Sequence, residues 1–149
     1  MPTAMIELRR FLRLPSLNQR LLIRALVLLA LMRAGLWFLP FKVVLRLTRR
    51  VGQRPRAGEG GDLTVGAIVW AVRNASRFLP GATCLTQALV GRVLLAQTGH
   101  LSALRIGVRK DPVRGFEAHA WLEHRGKVIL GKLEDLSRYA PMRPLGERL

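Results

Sequence analysis

Residues 80–95, PGATCLTQALVGRVLL, set the terms for the whole chain. Pro80-Gly81 is a turn that ends the segment before it. Thr83, or that same turn, supplies the N-cap of a new helix. Leu85, Ala88, Leu89 and Leu95 then recur at helical spacing, which puts Cys84, the only cysteine, in the first turn. Free amide N–H groups and the positive end of the helix dipole stabilise a thiolate at that place. A thiol so placed is a candidate nucleophile, provided a base reaches it from elsewhere in the chain. The competing reading is a small buried hydrophobe.

The base is sought in Phe116–Val128, FEAHAWLEHRGKV. Strand alternation puts Glu117, His119, Trp121 and Glu123 on one face, and Ala118, Ala120, Leu122 and His124 on the other. The alanines flanking His119 permit close approach of a packed helix, so His119 is the base candidate. His124 falls at a hairpin mouth. His100 follows the far end of the Cys84 helix, about 20 Å from Cys84, and cannot reach it. A third group must orient the imidazole. A two-residue turn at Arg125-Gly126 pairs His124 with Lys127, and therefore His119 with a position near Lys132. Positions 128–133 hold no acid; the nearest are Glu134 and Asp135. Asp135 is the preferred orienter, because a shorter side chain at a turn fixes a ring more firmly; Glu134 competes through its longer reach. An oxyanion hole needs the Cys84 N–H and a second donor, for which Thr83, Gln87 and Asn74 are the available types.

Around this centre the chain reads as helices followed by a small antiparallel sheet, an α+β order. After a short basic segment, Pro15-Ser16 introduces a long helix over Leu17–Ala34, with Ser16 as N-cap and a corner from Gly35 to Pro40. A third helix covers Phe41–Arg50. The Gly-, Pro- and Arg-rich stretch Gly52–Gly61 is the best boundary, dividing a helical region (1–55) from a core (56–149). Asp62 caps a helix over Leu63–Phe78, and Gly99 closes the Cys84 helix. Alternation at Leu104, Ile106 and Val108 gives a strand, Phe116–His124 a second and Lys127–Leu130 a third. Leu133–Tyr139 forms a helical turn, and Pro141 and Pro144 mark an irregular tail.

One cysteine allows no internal disulfide and fits a reducing cytoplasm. One Cys and three scattered His lack metal-site spacing, and no cofactor motif is present. Lys and Arg number 25 against 9 Asp and Glu, a formal charge of +16. That suits an acidic partner or an anionic surface, although the arginines are spread along the chain. The apolar run Leu21–Met32 is broken by Arg24 and bounded by Arg33, so it reads as a buried or partner-facing helix rather than a membrane span. Peripheral membrane contact is compatible with it. No nucleic-acid motif is present, and aromatics are few.

Three stretches together, RFLPGATCLTQALVGRVLL, HLSALRIGVRK and FEAHAWLEHRGKV, resemble the lasso peptide biosynthesis B2 family. The N-terminal segments LLIRALVLLALMRAGLWFLPF and IVWAVRNASRFLPG extend the resemblance over most of the chain. It implies a transglutaminase-like cysteine protease of papain/transglutaminase type, with a Cys-bearing helix packed on a small antiparallel sheet and an N-terminal helical extension. It implies that Cys84 is the nucleophile and His119 the base of a leader peptidase. The family's acid falls near Gly131, where this chain has none, so that Asp135 or Glu134 substitutes or the enzyme works as a dyad. The implied partners are the precursor leader, a separate B1-type leader-recognition protein and an asparagine-synthetase-like cyclase. The apolar N-terminal helices then serve as a docking surface for B1, the cyclase or the membrane, or they pack on the core. Two further readings stand beside the peptidase: acyl transfer through the same thioester, and a basic binding or scaffold subunit without catalysis.

Overall fold

Prolines stop two of the helices, at Pro40 and Pro80, and a left-handed Gly99 follows the end of a third. The computed structural model describes residues 2–54 and 63–142. Helices α1 (Pro2–Leu12), α2 (Ser16–Phe38), α3 (Phe41–Gly52), α4 (Val65–Phe78) and α5 (Cys84–Gln97) come first. Strands β1 (Ala103–Asp111), β2 (Gly115–His124) and β3 (Lys127–Leu130) follow, then a single 3-10 turn at Leu136–Arg138 and β4 (Ala140–Pro141). The sheet is antiparallel with order β3-β2-β1-β4. This is the α+β architecture expected from the sequence.

α2 outruns the expected corner at Gly35 and stops only at Leu39, which is extended ahead of Pro40. A residue before proline is pushed out of the helical region, and the proline itself has no N–H to donate. Ser16 opens α2 from inside; the capping position is Pro15, with no side-chain bond. α4 starts at Val65, where the Thr64 hydroxyl accepts the Ala67 N–H at 3.2 Å. Asp62, most of the 52–61 loop and Pro144 lie outside the described residues.

α5 is apolar round most of its circumference and is accordingly enclosed on most sides, with Ala96 left exposed. Its Ala88, Leu89, Val90, Leu94 and Leu95 are buried against Leu21, Ala25 and Leu29 of α2, Ile68, Val72 and Ala75 of α4, and Leu104, Leu122 and Leu130 of the sheet. Each fully buried leucine there contributes about 1.5–3 kcal/mol. α2 thus shares one core with the sheet, and that core does not part at the 55/56 boundary. At Gly91 an added Cβ would lie 2.5 Å from a Leu130 methyl, so a larger residue there would have to push the Leu130 side chain aside.

The Asp111 carboxylate accepts the Val113 and Arg114 N–H groups at 2.8 and 2.9 Å and turns β1 into β2. Those two bonds hold its pKa below the ordinary carboxylate range. Arg125 (φ 49°) and Gly126 (φ 74°) form the two-residue turn between β2 and β3. A bulge between Leu122 and Glu123 then shifts the register, so Leu122 faces Leu130. The tail read as irregular at Pro141 is instead β4, pairing Gly107 with Pro141 and Val108 with Ala140. A two-residue edge strand tolerates proline because that side of it needs no N–H. Since β3 and β4 occupy opposite edges, residues 131–139 cross the sheet as a strap. They cross the face away from α5, where Gly107 lies under Trp121 and Tyr139.

Candidate active site

Cys84 is the first residue of α5 and is half-buried. The Thr83 hydroxyl accepts the Thr86 N–H at 3.3 Å, and the Thr86 hydroxyl donates to the Thr83 carbonyl at 2.8 Å. This cap fixes the first turn and aims the remaining amide N–H groups past the thiol. The preceding turn is pinned from α2, where Arg33 donates to the Pro80 carbonyl at 2.6 Å. Gly81 has φ 76°, and the Arg33 guanidinium occupies the space a Cβ there would need. Among the described residues, Cys84 Sγ makes no hydrogen bond.

His119 is half-buried on β2, and its Nε2 lies 2.7 Å from the Gly131 carbonyl oxygen. A carbonyl only accepts, so Nε2 carries the proton and Nδ1 keeps its lone pair. The imidazole stacks with Trp121, ring centroids 6.4 Å apart, and meets the Tyr139 ring at 5.6 Å. The orienting position is therefore the one the sequence left without an acid. Gly131 has φ 76°, and an added Cβ would lie 2.5 Å from the Ala120 carbonyl. A side chain at this position is excluded, and the backbone supplies the acceptor instead.

The preferred orienter, Asp135, goes elsewhere. Its carboxylate is bonded by Arg109, which also holds Glu117 at 2.7 Å. Tyr139 donates to Glu117 at 3.5 Å, and the Arg109 guanidinium lies 4.8 Å above the Tyr139 ring. The bond to Glu117, reinforced by Asp135, holds Arg109 more firmly protonated than an ordinary arginine. Burial raises the Tyr139 pKa, so the phenol is neutral at physiological pH. Arg109 thus ties the strap to β1 and β2 beside His119. Glu134 is exposed.

α5 packs against β2, but on its Ala120 and Leu122 face. His119 lies on the opposite face, with Trp121. Ala120 lies on the side that takes the helix, where the large apolar Leu122 and Leu130 claim α5, and the polar side with His119 goes under the strap. The structure joins His119 to Gly131 and Tyr139, and leaves Cys84 and His119 unbonded on neighbouring elements. His100 Nε2 lies 3.1 Å from the Leu63 carbonyl, and His124 Nδ1 lies 2.6 Å from the Leu101 carbonyl. Both stay at the other end of the sheet. Of the oxyanion candidates, Asn74 spends its amide on the Trp70 carbonyl at 2.8 Å. Gln87, one turn beyond Cys84, holds the Ala82 carbonyl only at 3.5 Å. Arg33, Arg109 and Gly131 were not singled out from the sequence. Gly131 alone left a signal there, as a glycine where an acid was sought.

Among the described residues, no group of His, Cys, Asp and Glu is arranged to hold a metal ion. No curated protein and no solved structure matches the chain significantly. Residues 22–144 match the transglutaminase-like superfamily, a group of thiol peptidases and acyl transferases. The match begins inside α2 and ends past β4, and so covers the Cys84 helix, the His119 strand and the strap that follows β3. The chain belongs to the transglutaminase-like superfamily.

Proposed function

We propose that the chain is a cysteine peptidase that removes the leader from a lasso peptide precursor before macrolactam closure. Cys84 acts as nucleophile, His119 as base, and the Gly131 carbonyl as orienter. The observation that carries the reading is the bond from His119 Nε2 to Gly131, because it leaves Nδ1 as the basic nitrogen. Cys84 at a capped helix N-terminus supplies the complementary thiol. Catalytic hydrogen bonds are commonly long in the free enzyme and tighten once substrate binds.

The thiol proton passes to Nδ1, and Sγ bonds to the scissile carbonyl carbon. The negative charge moves to the carbonyl oxygen, where the N–H groups opening α5 meet it; Gln87 is the side chain in place to join them. The C–N bond then breaks, and the leaving amine takes the proton from Nδ1. Water attacks the thioester, gives its proton to Nδ1 and releases the leader carboxylate. The thiolate is thereby restored and recovers that proton. Through both steps the Gly131 carbonyl stabilises the imidazolium across Nε2–H.

The leader is presented by a separate B1-type protein, and the freed core peptide passes to an asparagine-synthetase-like cyclase. The test is cleavage of precursor by purified protein with B1-type partner, followed by mass spectrometry. A new leader carboxylate and a free core amine support the reading. An amide adduct formed with an added amine points to acyl transfer, and no Cys84-dependent product at all sinks both.

A further inference from the structure

Beyond Arg20, α2 is apolar apart from Arg24 and Arg33, yet only part of that apolar surface is covered. Leu21, Ala25, Leu29 and Met32 face the core. On the opposite side Ile23, Val27, Ala30, Leu31, Ala34, Trp37 and Phe38 are exposed. Trp37 and Phe38 are 78% and 81% exposed, as open as surface lysines commonly are. These residues follow one another at helical spacing and form a ridge about 24 Å long with no charge among them and one polar group, the Trp37 indole N–H. At Leu31 the ridge opens into an apolar groove, which continues over Leu39 to Leu47 and Val51 of α3. Beyond Leu47, α3 presents a row of exposed cations, Lys42, Arg46 and Arg50. Residues 1–55 contain eleven Lys and Arg and a single acid, Glu7.

We infer that this ridge lies in the headgroup region of an anionic lipid bilayer, with α2 parallel to the surface and the α3 cations against lipid phosphates. Length and composition would also let α2 cross a membrane. Its Leu21, Ala25 and Leu29, however, are buried against α4 and α5, and a spanning helix would strip that core. The occupant is lipid rather than protein for two reasons. Protein interfaces combine apolar area with about one hydrogen bond per 100–200 Å², and this ridge offers a single donor, the Trp37 indole N–H, which suits the wet edge of a bilayer. Aromatic residues at one end and cations alongside are what an interfacial helix uses, the first at headgroup level and the second on anionic phosphates.

The experiment is co-sedimentation of the full chain with phosphatidylcholine vesicles, with and without phosphatidylglycerol, alongside light scattering of the lipid-free protein. Binding is expected to the anionic vesicles and to fall by at least about tenfold for neutral ones or for the triple variant Lys42→Glu, Arg46→Glu, Arg50→Glu. Val27→Glu with Leu31→Glu should abolish binding while leaving helix content and leader cleavage in solution unchanged, since both side chains are exposed. Trp37 emission should shift to the blue on anionic vesicles, and Trp37→Phe should remove the shift. The inference is overturned if anionic vesicles do not bind the protein, or if the Val27, Leu31 variant binds them as well as wild type. It is also overturned if light scattering shows an oligomer that this variant dissolves, because the ridge then meets a second copy.

Discussion

A carbonyl oxygen carries only a partial charge, so in the proposed mechanism Gly131 stabilises the His119 imidazolium less than a carboxylate would in its place. His119→Ala should abolish cleavage, while His100→Ala and His124→Ala should retain most of it, measured as initial rates on precursor. Comparable loss in His124→Ala would move the base to the wrong end of the sheet. Cys84→Ala should be inactive with an unchanged circular dichroism spectrum, because the residue is small, half-buried and unbonded; wild-type cleavage by that variant would end the thiol mechanism. The two acids near the strap separate by their contacts. Glu134→Gln should leave the rate unaltered. Asp135→Asn weakens the Arg109 anchor and should slow cleavage severalfold without abolishing it. A loss as complete as that of His119→Ala would show that the carboxylate, not the Gly131 carbonyl, orients the ring.

At the level of elements, the site depends on two short segments held from outside: the turn before α5 and the strap after β3. Arg33 reaches from α2 to the Pro80 carbonyl, so Arg33→Met should lower the cleavage rate and leave the thermal midpoint nearly unmoved. A large drop in midpoint with a normal rate would make this a stability contact only. Thr83→Ala removes the α5 cap and should cost about 1 kcal/mol in denaturant unfolding. Gly131 combines a left-handed backbone with contact against the Ala120 carbonyl. Gly131→Asp, which restores an acid at the position, should therefore destabilise the protein and fail to improve the rate. A faster, equally stable Gly131→Asp enzyme would refute the close-packing argument.

Over the whole molecule, α2 and the sheet are two sides of one core around α5. A fragment of residues 56–149 loses the partners of Ile68, Leu89 and Leu94, and it should lack the cooperative unfolding transition of the full chain. A folded, cleaving fragment would restore the division at residue 55. In the proposed function a B1-type protein presents the leader, so cleavage should be slow for the chain alone and rise sharply when that protein is added; equal rates with and without it would count against the pathway assignment. The local features were legible because their causes are local. A capping threonine, two turn residues and strand alternation place Cys84 at the start of a helix and His119 on a strand whatever surrounds them. Gly131 as orienter, the face of β2 that meets α5 and the capture of Asp135 by Arg109 were not legible. Each depends on which groups compete for a neighbour once the sheet has formed: Leu122 and Leu130 claim the helix, and Arg109 outbids the imidazole for a carboxylate. The sequence alone determined the helix order, the hairpins and the candidate pair. The tertiary structure decided what orients the histidine, because a backbone carbonyl leaves no trace in a list of side chains.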